Sequence, residues 1–394
     1  MTGMTANTER RCHCIQLLVE PLRGFWGGDE LRILGFNLAV HAVVQGVALQ
    51  FMPLPYYSRL SLHDGNTYFL IAQNLWPAQP LAQFSWHKRF LHVLVSRLAI
   101  PWNLEWSFLF VGIVAASFSA VYFFKVVRRF THQPFRLTLL YTLLPWLFFA
   151  AHHGLAEPLL MLTVLAGFYY FFEERYLACT LAFALALLTK ELAAFPALAI
   201  GLLMVHRHGL RKASWFGMAL FPIASLCLLY GLRWGDCAWC LRMADWNAPE
   251  GFFSPRTALY WIAYWTAHPP ASSANAAVSL YYNLVNQILN IVCLIALSYA
   301  VYALWRRGLR ELAFINTILL AMVFFLGHFM YEFNHCVGRK FQLLSTALVA
   351  YDGWAGSRLL SHRVLYWLIL ASGLALGVLW TFMYAKFFLY YKFF

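Results

Sequence analysis

Long apolar runs recur along almost the whole chain, and they constrain its fold more than any other feature. The runs at 104–124, 279–304 and 364–385 each reach the roughly 20 residues that an α-helix needs to cross a bilayer core. Only 11% of the residues are charged, whereas a typical soluble domain has about 25%. The sequence therefore predicts an all-α, polytopic (multi-pass) integral membrane protein.

Short basic clusters separate the apolar runs and predict the topology. Because cytoplasmic loops carry an excess of Lys and Arg, we expect all of these clusters on the cytoplasmic side. The net charge of +13 comes largely from them and not from a basic soluble domain, so no nucleic-acid partner is expected. The clusters lie at 10–32, 125–129, 206–212, 306–310 and 358–363. The apolar spans that fit between them are 31–54, 104–124, 135–151, 157–172, 214–232, 279–304, 312–327, 341–356 and 364–385.

The segment 176–205 is apolar but carries Lys190 and Glu191 at its centre. Two helices that turn at this pair keep the neighbouring basic clusters on one side, whereas a single helix does not. Each would be about 14 residues, or roughly 21 Å, shorter than a hydrocarbon core of about 30 Å. The turn would then lie in protein or in a wet cavity. The pair is either functional, as intramembrane charges commonly are, or a mutual salt bridge that caps the turn.

With those two helices the count is about eleven transmembrane helices, the N-terminus inside and the C-terminus outside. A cytoplasmic segment at 1–30 precedes a single transmembrane domain at 31–394. Its first outer loop, at 55–103, contains two helical patterns too short to span, which we expect to lie in the interface. A long outer loop follows at 234–278. Most of the remaining charged residues fall on this outer side.

Asp64, preceded by His63, stands where the first span should leave the membrane. Asp is a favoured helix N-cap, which would explain it structurally. A partly desolvated carboxylate can also act as a base toward a hydroxyl. Both interpretations fit the sequence.

Two basic pairs lie on the predicted outer side, where positive charge is otherwise avoided. They are Lys88 and Arg89 in "WHKRF", after His87, and Arg339 and Lys340 in "VGRKFQLL". Such pairs either anchor the chain at the headgroup level or bind the phosphate of a lipid. Glu332 precedes the second pair and is a candidate for positioning a substrate.

His153 and Glu157 in "HHGLAEPLL" lie at the entrance of a span. Residues four apart share a helix face and could ligate a metal, but Gly154 and Pro158 argue against one continuous helix here. Orientation of substrate hydroxyls, or helix capping, is the better interpretation. No metal site is predicted.

The elements "DGNTYFLIA", "HKRFLHVLVSRLA", "GLAEPLLML", "LLTKELAAFPAL" and "GRKFQLLSTAL" follow one another in this order. The series resembles the GT-C superfamily of integral-membrane glycosyltransferases, mannosyltransferase-like enzymes that use polyprenyl-phosphate sugars. The resemblance implies a GT-C-like fold with an active site outside the cytoplasm. We expect the protein to lie in a bacterial inner membrane. Asp64 matches the family's catalytic acid. Many members have two acids where this chain has "HDG", with one acid. We therefore expect no cofactor, and a divalent metal has no support. His63 is assigned an assisting role.

The resemblance further implies transfer of one sugar from a polyprenyl-phosphate donor to a hydroxyl of a lipid-linked or polysaccharide acceptor, with inversion. Lys88, Arg89, Arg339 and Lys340 would meet the donor phosphate. Substrate positioning falls to His87, Tyr68, His153, Glu157, Lys190, Glu191 and Glu332. The alternatives are a transporter or flippase of a lipid-linked saccharide, which should place polar groups near the midplane, and a non-catalytic subunit that binds such lipids.

Overall fold

The structure of the protein, a computed structural model, describes residues 27–51, 64–76, 89–234, 256–267, 286–326 and 340–392. Regular secondary structure in these ranges is helical, as the sequence predicts. The α-helices are α1 Gly28–Phe51, α2 Asp64–Gln73, α3 Phe90–Ala99, α4 Leu104–Val127, α5 Pro134–Thr142, α6 Pro145–His152, α7 Glu157–Phe172, α8 Tyr176–Thr189, α9 Ala194–His208, α10 Leu210–Ala213, α11 Phe221–Trp234, α12 Ala258–Ala267, α13 Asn286–Arg306, α14 Arg310–Phe324, α15 Asp352–Gly356 and α16 Leu360–Lys392. Segments of 3₁₀ helix are Glu191–Ala193, Ser214–Leu220 and Gln342–Tyr351.

Four helical segments within the described ranges are long and apolar enough to cross a membrane. They are Leu104–Val127, Ser214–Trp234, Gln287–Arg306 and Leu360–Val378. A fifth span results if α5 and α6, which meet at a bend of 51°, are counted as one. Pro145 opens α6 and explains the bend, because proline lacks the N–H that would continue the ladder of α5. Large apolar side chains are exposed on these segments, among them Phe221 at 71% and Trp367 at 63%, which suits a lipid-facing surface and an integral membrane protein.

Helix α4 lies at the centre of the bundle and packs against α1, α5, α6 and α7. Asn103 caps its start by accepting a hydrogen bond from the backbone N–H of Trp106, at 3.1 Å. Gly112 lets α6 approach closely, since a Cβ at this position would lie 2.5 Å from the carbonyl oxygen of Ala151. The ring of Phe123 stacks on that of Tyr141 at 4.4 Å. This core fixes α7, which carries part of the candidate site at its first residue.

The predicted turn at Lys190 and Glu191 is confirmed. Helix α8 has 14 residues and α9 has 15. Lys190 between them has extended backbone angles (φ −163°, ψ 139°), and Glu191 opens the short 3₁₀ segment. The two patterns in the first outer loop are helical as predicted, forming α2 and α3.

Contacts between helix ends bring three of the basic clusters together at one end of the bundle, here called the basic end. Arg128 pairs with Glu30, and Arg129 with Glu173. Further contacts there join Arg207 to Glu311, Tyr176 to His208, Arg307 to Asp352 and Thr131 to Asp352. Glu157 opens α7 and Glu173 follows its last residue, about 24 Å away along 16 residues. The candidate site at Glu157 therefore lies at the opposite end from the basic clusters.

Candidate functional site

Six of the residues singled out in the sequence form one buried group, here called the ionic cluster. Tyr68 comes from α2, Arg89 precedes α3, Glu157 opens α7, and Lys190 and Glu191 form the turn after α8. Lys340 lies just before the 3₁₀ segment Gln342–Tyr351. The cluster members are Tyr68, Arg89, Glu157, Lys190, Glu191 and Lys340.

Arg89 is the centre of one half of the cluster. Its Nε donates to Oε2 of Glu191 at 3.2 Å, and its Nη2 donates to Oε1 at 2.7 Å. The remaining Nη1 donates to the hydroxyl of Tyr68 at 2.6 Å. Since the side chain of Arg89 is only 7% exposed, this bidentate pair holds the guanidinium in a fixed orientation.

Glu157 is the centre of the other half. Its Oε1 lies 2.6 Å from Nζ of Lys190 and 3.9 Å from Nζ of Lys340. All three side chains are at most 3% exposed. One buried carboxylate oxygen thus faces two ammonium groups that are 150 positions apart in the chain.

Lys190 and Glu191 each make an ion pair with another element, Lys190 with Glu157 and Glu191 with Arg89. The turn is thereby tied to α7 and to the start of α3. Among the described residues, the cluster combines three cationic side chains with two carboxylates. Such a group of fixed, buried cationic donors can position a polar substrate and bind an anionic one.

Sequence reasoning missed His92, which lies beside the cluster. His92 is fully buried on α3, and its ring meets that of Tyr68 edge-on at 5.0 Å. Its Nε2 lies 2.9 Å from the carbonyl oxygen of Gly154, and since a carbonyl only accepts, this nitrogen carries the proton. The Nδ1 of His92 has no hydrogen-bond partner among the described residues. The sequence signal that could have predicted this placement is the spacing of three residues between Arg89 and His92, which puts both on one side of the helix start.

Gly154 explains how α6 and α7 are joined. Its φ of +60° lies in the left-handed region, and a Cβ there would lie 3.0 Å from Cβ of Phe108. The chain therefore breaks between His153 and Glu157, and α7 starts at Glu157. His153 is buried and donates from Nδ1 to the carbonyl oxygen of Phe149, 2.8 Å away, within its own turn. The described residues contain no group of three or more His, Cys, Asp or Glu that could hold a metal ion.

Of the remaining predicted site residues, the structure gives the position of Asp64 in its helix. Asp64 is the first residue of α2, one helical turn before Tyr68. The other five lie outside the described residues: His63, His87, Lys88, Glu332 and Arg339.

A second buried polar group, which the sequence did not reveal, connects α1 to α6. The imidazole of His152 lies 3.0 Å from Nδ1 of His41 and 3.0 Å from Oε1 of Gln45. The ring of His41 stacks on Phe148 with the centroids 4.9 Å apart. These contacts fix the end of α6, and through it the start of the Gly154 turn.

Comparison of the chain with protein-family models, with curated proteins and with solved structures found no match. The functional interpretation therefore depends on the residues of the ionic cluster and on the helices that bring them together.

Proposed function

We propose that this protein is an integral-membrane glycosyltransferase of the GT-C type. It transfers one sugar from a polyprenyl-phosphate donor to a hydroxyl group of a lipid-linked or polysaccharide acceptor. The short helices complete a set of about eleven spans, with the N-terminus and the basic end in the cytoplasm. The reaction takes place at the opposite, extracytoplasmic end, in a bacterial inner membrane.

The observation that carries the proposal is the meeting of Arg89, Lys190 and Lys340 in one buried cluster. These residues come from three distant parts of the chain, and burying each of them is costly unless it is paired. Among the described residues, these three cations gather around Glu157 and Glu191 at one site, where their fixed donors can also bind an anionic ligand. A lipid phosphate fits this requirement, because arginine clamps phosphate oxygens and lysine adds a point charge.

Asp64 is proposed as the base, with His63 assisting. It opens α2 one turn before Tyr68, about 6 Å along the helix axis, and the Tyr68 hydroxyl accepts from Arg89. The acceptor oxygen attacks the anomeric carbon and loses its proton to the Asp64 carboxylate. The bond from that carbon to the phosphate oxygen breaks, and its electron pair leaves with the polyprenyl phosphate. A single displacement inverts the anomeric configuration.

The cations contribute mainly by stabilising the charge that develops on the departing phosphate. Fixed charges in a site that excludes water are effective because they need no reorganisation during the reaction. The Glu191 carboxylate fixes the Arg89 guanidinium, and Glu157 fixes Lys190. We assign the positioning of donor and acceptor to these pairs and to Tyr68.

The test is transfer by purified protein in vesicles, with a panel of radiolabelled polyprenyl-phosphate sugars and a membrane lipid extract as acceptor source. We expect a labelled product from the wild type and none from Asp64→Asn. The matched control is Asp29→Asn, the same chemical change at the first turn of α1, at the basic end. It should transfer at the wild-type rate.

A second pair of variants tests the phosphate site. Arg89→Lys keeps the charge but loses the bidentate geometry, and Lys340→Met removes a charge. Both should weaken donor binding more than acceptor binding. If wild-type protein gives no product but moves labelled donor across the vesicle membrane, the protein is a transporter and the proposal is wrong.

A further inference from the structure

A groove of about 360 Å³ opens on the outer surface of α8 at the basic end, far from the ionic cluster. Its wall is formed by α8, by the end of α9 and by the segment that returns from α9 to α11. The lining is almost wholly apolar, apart from its mouth. The residues are Tyr176, Leu177, Thr180, Leu181, Ala184, Met204, His208, Trp215, Phe216, Met218, Phe221 and Pro222.

The groove exists because the chain reverses after α9. Gly209 ends that helix with φ +76°, a left-handed conformation that favours glycine, and nothing lies within 4 Å of its would-be Cβ. The following segment then packs back along α8. Phe216 forms the floor, with its ring 5.5 Å from that of Phe183 and 3.6 Å from the would-be Cβ of Gly201. Leu181 and other apolar side chains around the groove remain exposed.

The mouth of the groove is polar and cationic. The Tyr176 hydroxyl and Nε2 of His208 lie 2.5 Å apart there. Arg175 precedes Tyr176 and Arg211 follows the Gly209 turn, and both side chains are exposed. Neither arginine forms an ion pair with a carboxylate among the described residues.

Charge around the mouth favours an anion. Arg207 is neutralised by Glu311, and Glu174 contributes one exposed negative charge. The two described arginines, Arg175 and Arg211, outweigh that charge by one. Trp215, 70% exposed at the rim, is the residue type that collects at the membrane–water interface.

We propose that this groove binds an anionic diacyl phospholipid, with one acyl chain along α8 and its phosphate at Arg175 and Arg211. From Tyr176 to Ala184 the groove follows α8 for about 12 Å, so a chain in it runs from the interface toward the membrane centre. Anionic lipids are attracted to basic segments at the cytoplasmic surface. The site is independent of the proposed transferase reaction, which uses the other end of the bundle.

The test measures lipid binding to purified, delipidated protein by native mass spectrometry, with phosphatidylglycerol and phosphatidylcholine as probes. Each Arg→Gln substitution should weaken phosphatidylglycerol binding about fivefold, and Arg175→Gln with Arg211→Gln about 25-fold. Phosphatidylcholine binding should change little. The control is Arg363→Gln, an exposed arginine on α16 away from the groove, which should bind as the wild type does. Equal phosphatidylglycerol binding by the double variant and the wild type would overturn the headgroup assignment.

A second substitution tests the groove itself. Leu181→Trp fills it from an exposed position, whereas Leu185→Trp places the same side chain one turn further along α8, outside the lining. We expect Leu181→Trp alone to lose binding of both lipids, with the melting temperature of the two variants similar. If both variants bind lipid as the wild type does, the groove is not the binding site.

Discussion

Replacement of Glu157 by glutamine should destabilise the protein strongly, since it removes the charge that two buried lysines share. The substitution conserves the shape of the side chain and changes little else. The wild-type Glu157 carboxylate is 1% exposed and lies within ion-pair distance of Lys190 and Lys340. The effect on stability therefore reports on the electrostatics of the cluster.

The distances give the size of the effect. At an effective dielectric constant of about 20, the Coulomb attraction is about 6 kcal/mol at the 2.6 Å separation from Lys190 and about 4 kcal/mol at 3.9 Å from Lys340. Much of this attraction is offset by the cost of removing the charges from water. Breaking a buried pair by removing one partner typically costs about 3–5 kcal/mol, and we expect Glu157→Gln in that range. Lys190→Met should cost less, because Glu157 then keeps Lys340.

The assay is reversible unfolding of the protein in mixed micelles, titrated with a denaturing detergent and followed by circular dichroism. The matched control is Asp29→Asn, which breaks the exposed pair between Asp29 and Arg32 and should change the free energy of unfolding by about 0–1 kcal/mol. Adding Lys190→Met to Glu157→Gln should recover about 1–3 kcal/mol, because it removes one of the two positive charges that position 157 faces. If Glu157→Gln behaves like Asp29→Asn, or if Lys190→Met makes the Glu157 variant less stable still, the electrostatic account of the cluster is wrong.

Two further pairs of variants test the packing around the site, and each pair is compared by its melting temperatures. Gly112→Ala should destabilise the protein by about 1–3 kcal/mol, since the new Cβ would lie 2.5 Å from the Ala151 carbonyl oxygen. Gly35→Ala is the control, because nothing lies within 4 Å of its would-be Cβ, and it should stabilise by about 0.4–1 kcal/mol. Equal effects of the two substitutions would contradict the close approach of α4 and α6. His92→Gln keeps an N–H donor that can reach the Gly154 carbonyl oxygen, so it should be more stable than His92→Ala. If His92→Ala has the higher melting temperature, the hydrogen bond contributes nothing to stability.

The sequence determined the helices because membrane insertion imposes a simple rule. Backbone groups cannot remain unpaired in hydrocarbon, so long apolar runs form helices, and the expected boundaries at 104–124 and 157–172 agree with α4 and α7 to within three residues. The turn at Lys190 and the gathering of three of the five basic clusters at one end followed from the same rule, together with the preference of charge for the membrane surface. The transferase activity and its donor stay predictions.

The tertiary structure alone decided which charged residues meet. Helices such as α7 are apolar on nearly every side, so no polar stripe in the sequence fixes which face turns inward. The rotation of each helix and its offset along its neighbour depend on side-chain packing, including the contact of Gly112 with Ala151. Only that packing pairs Arg89 with Glu191, 102 positions away, and places His92 beside them. The composition provides only a few charged residues that can be buried in this way. The packing of the core determines which of them pair, because an unpaired charge in this interior would strongly destabilise the fold.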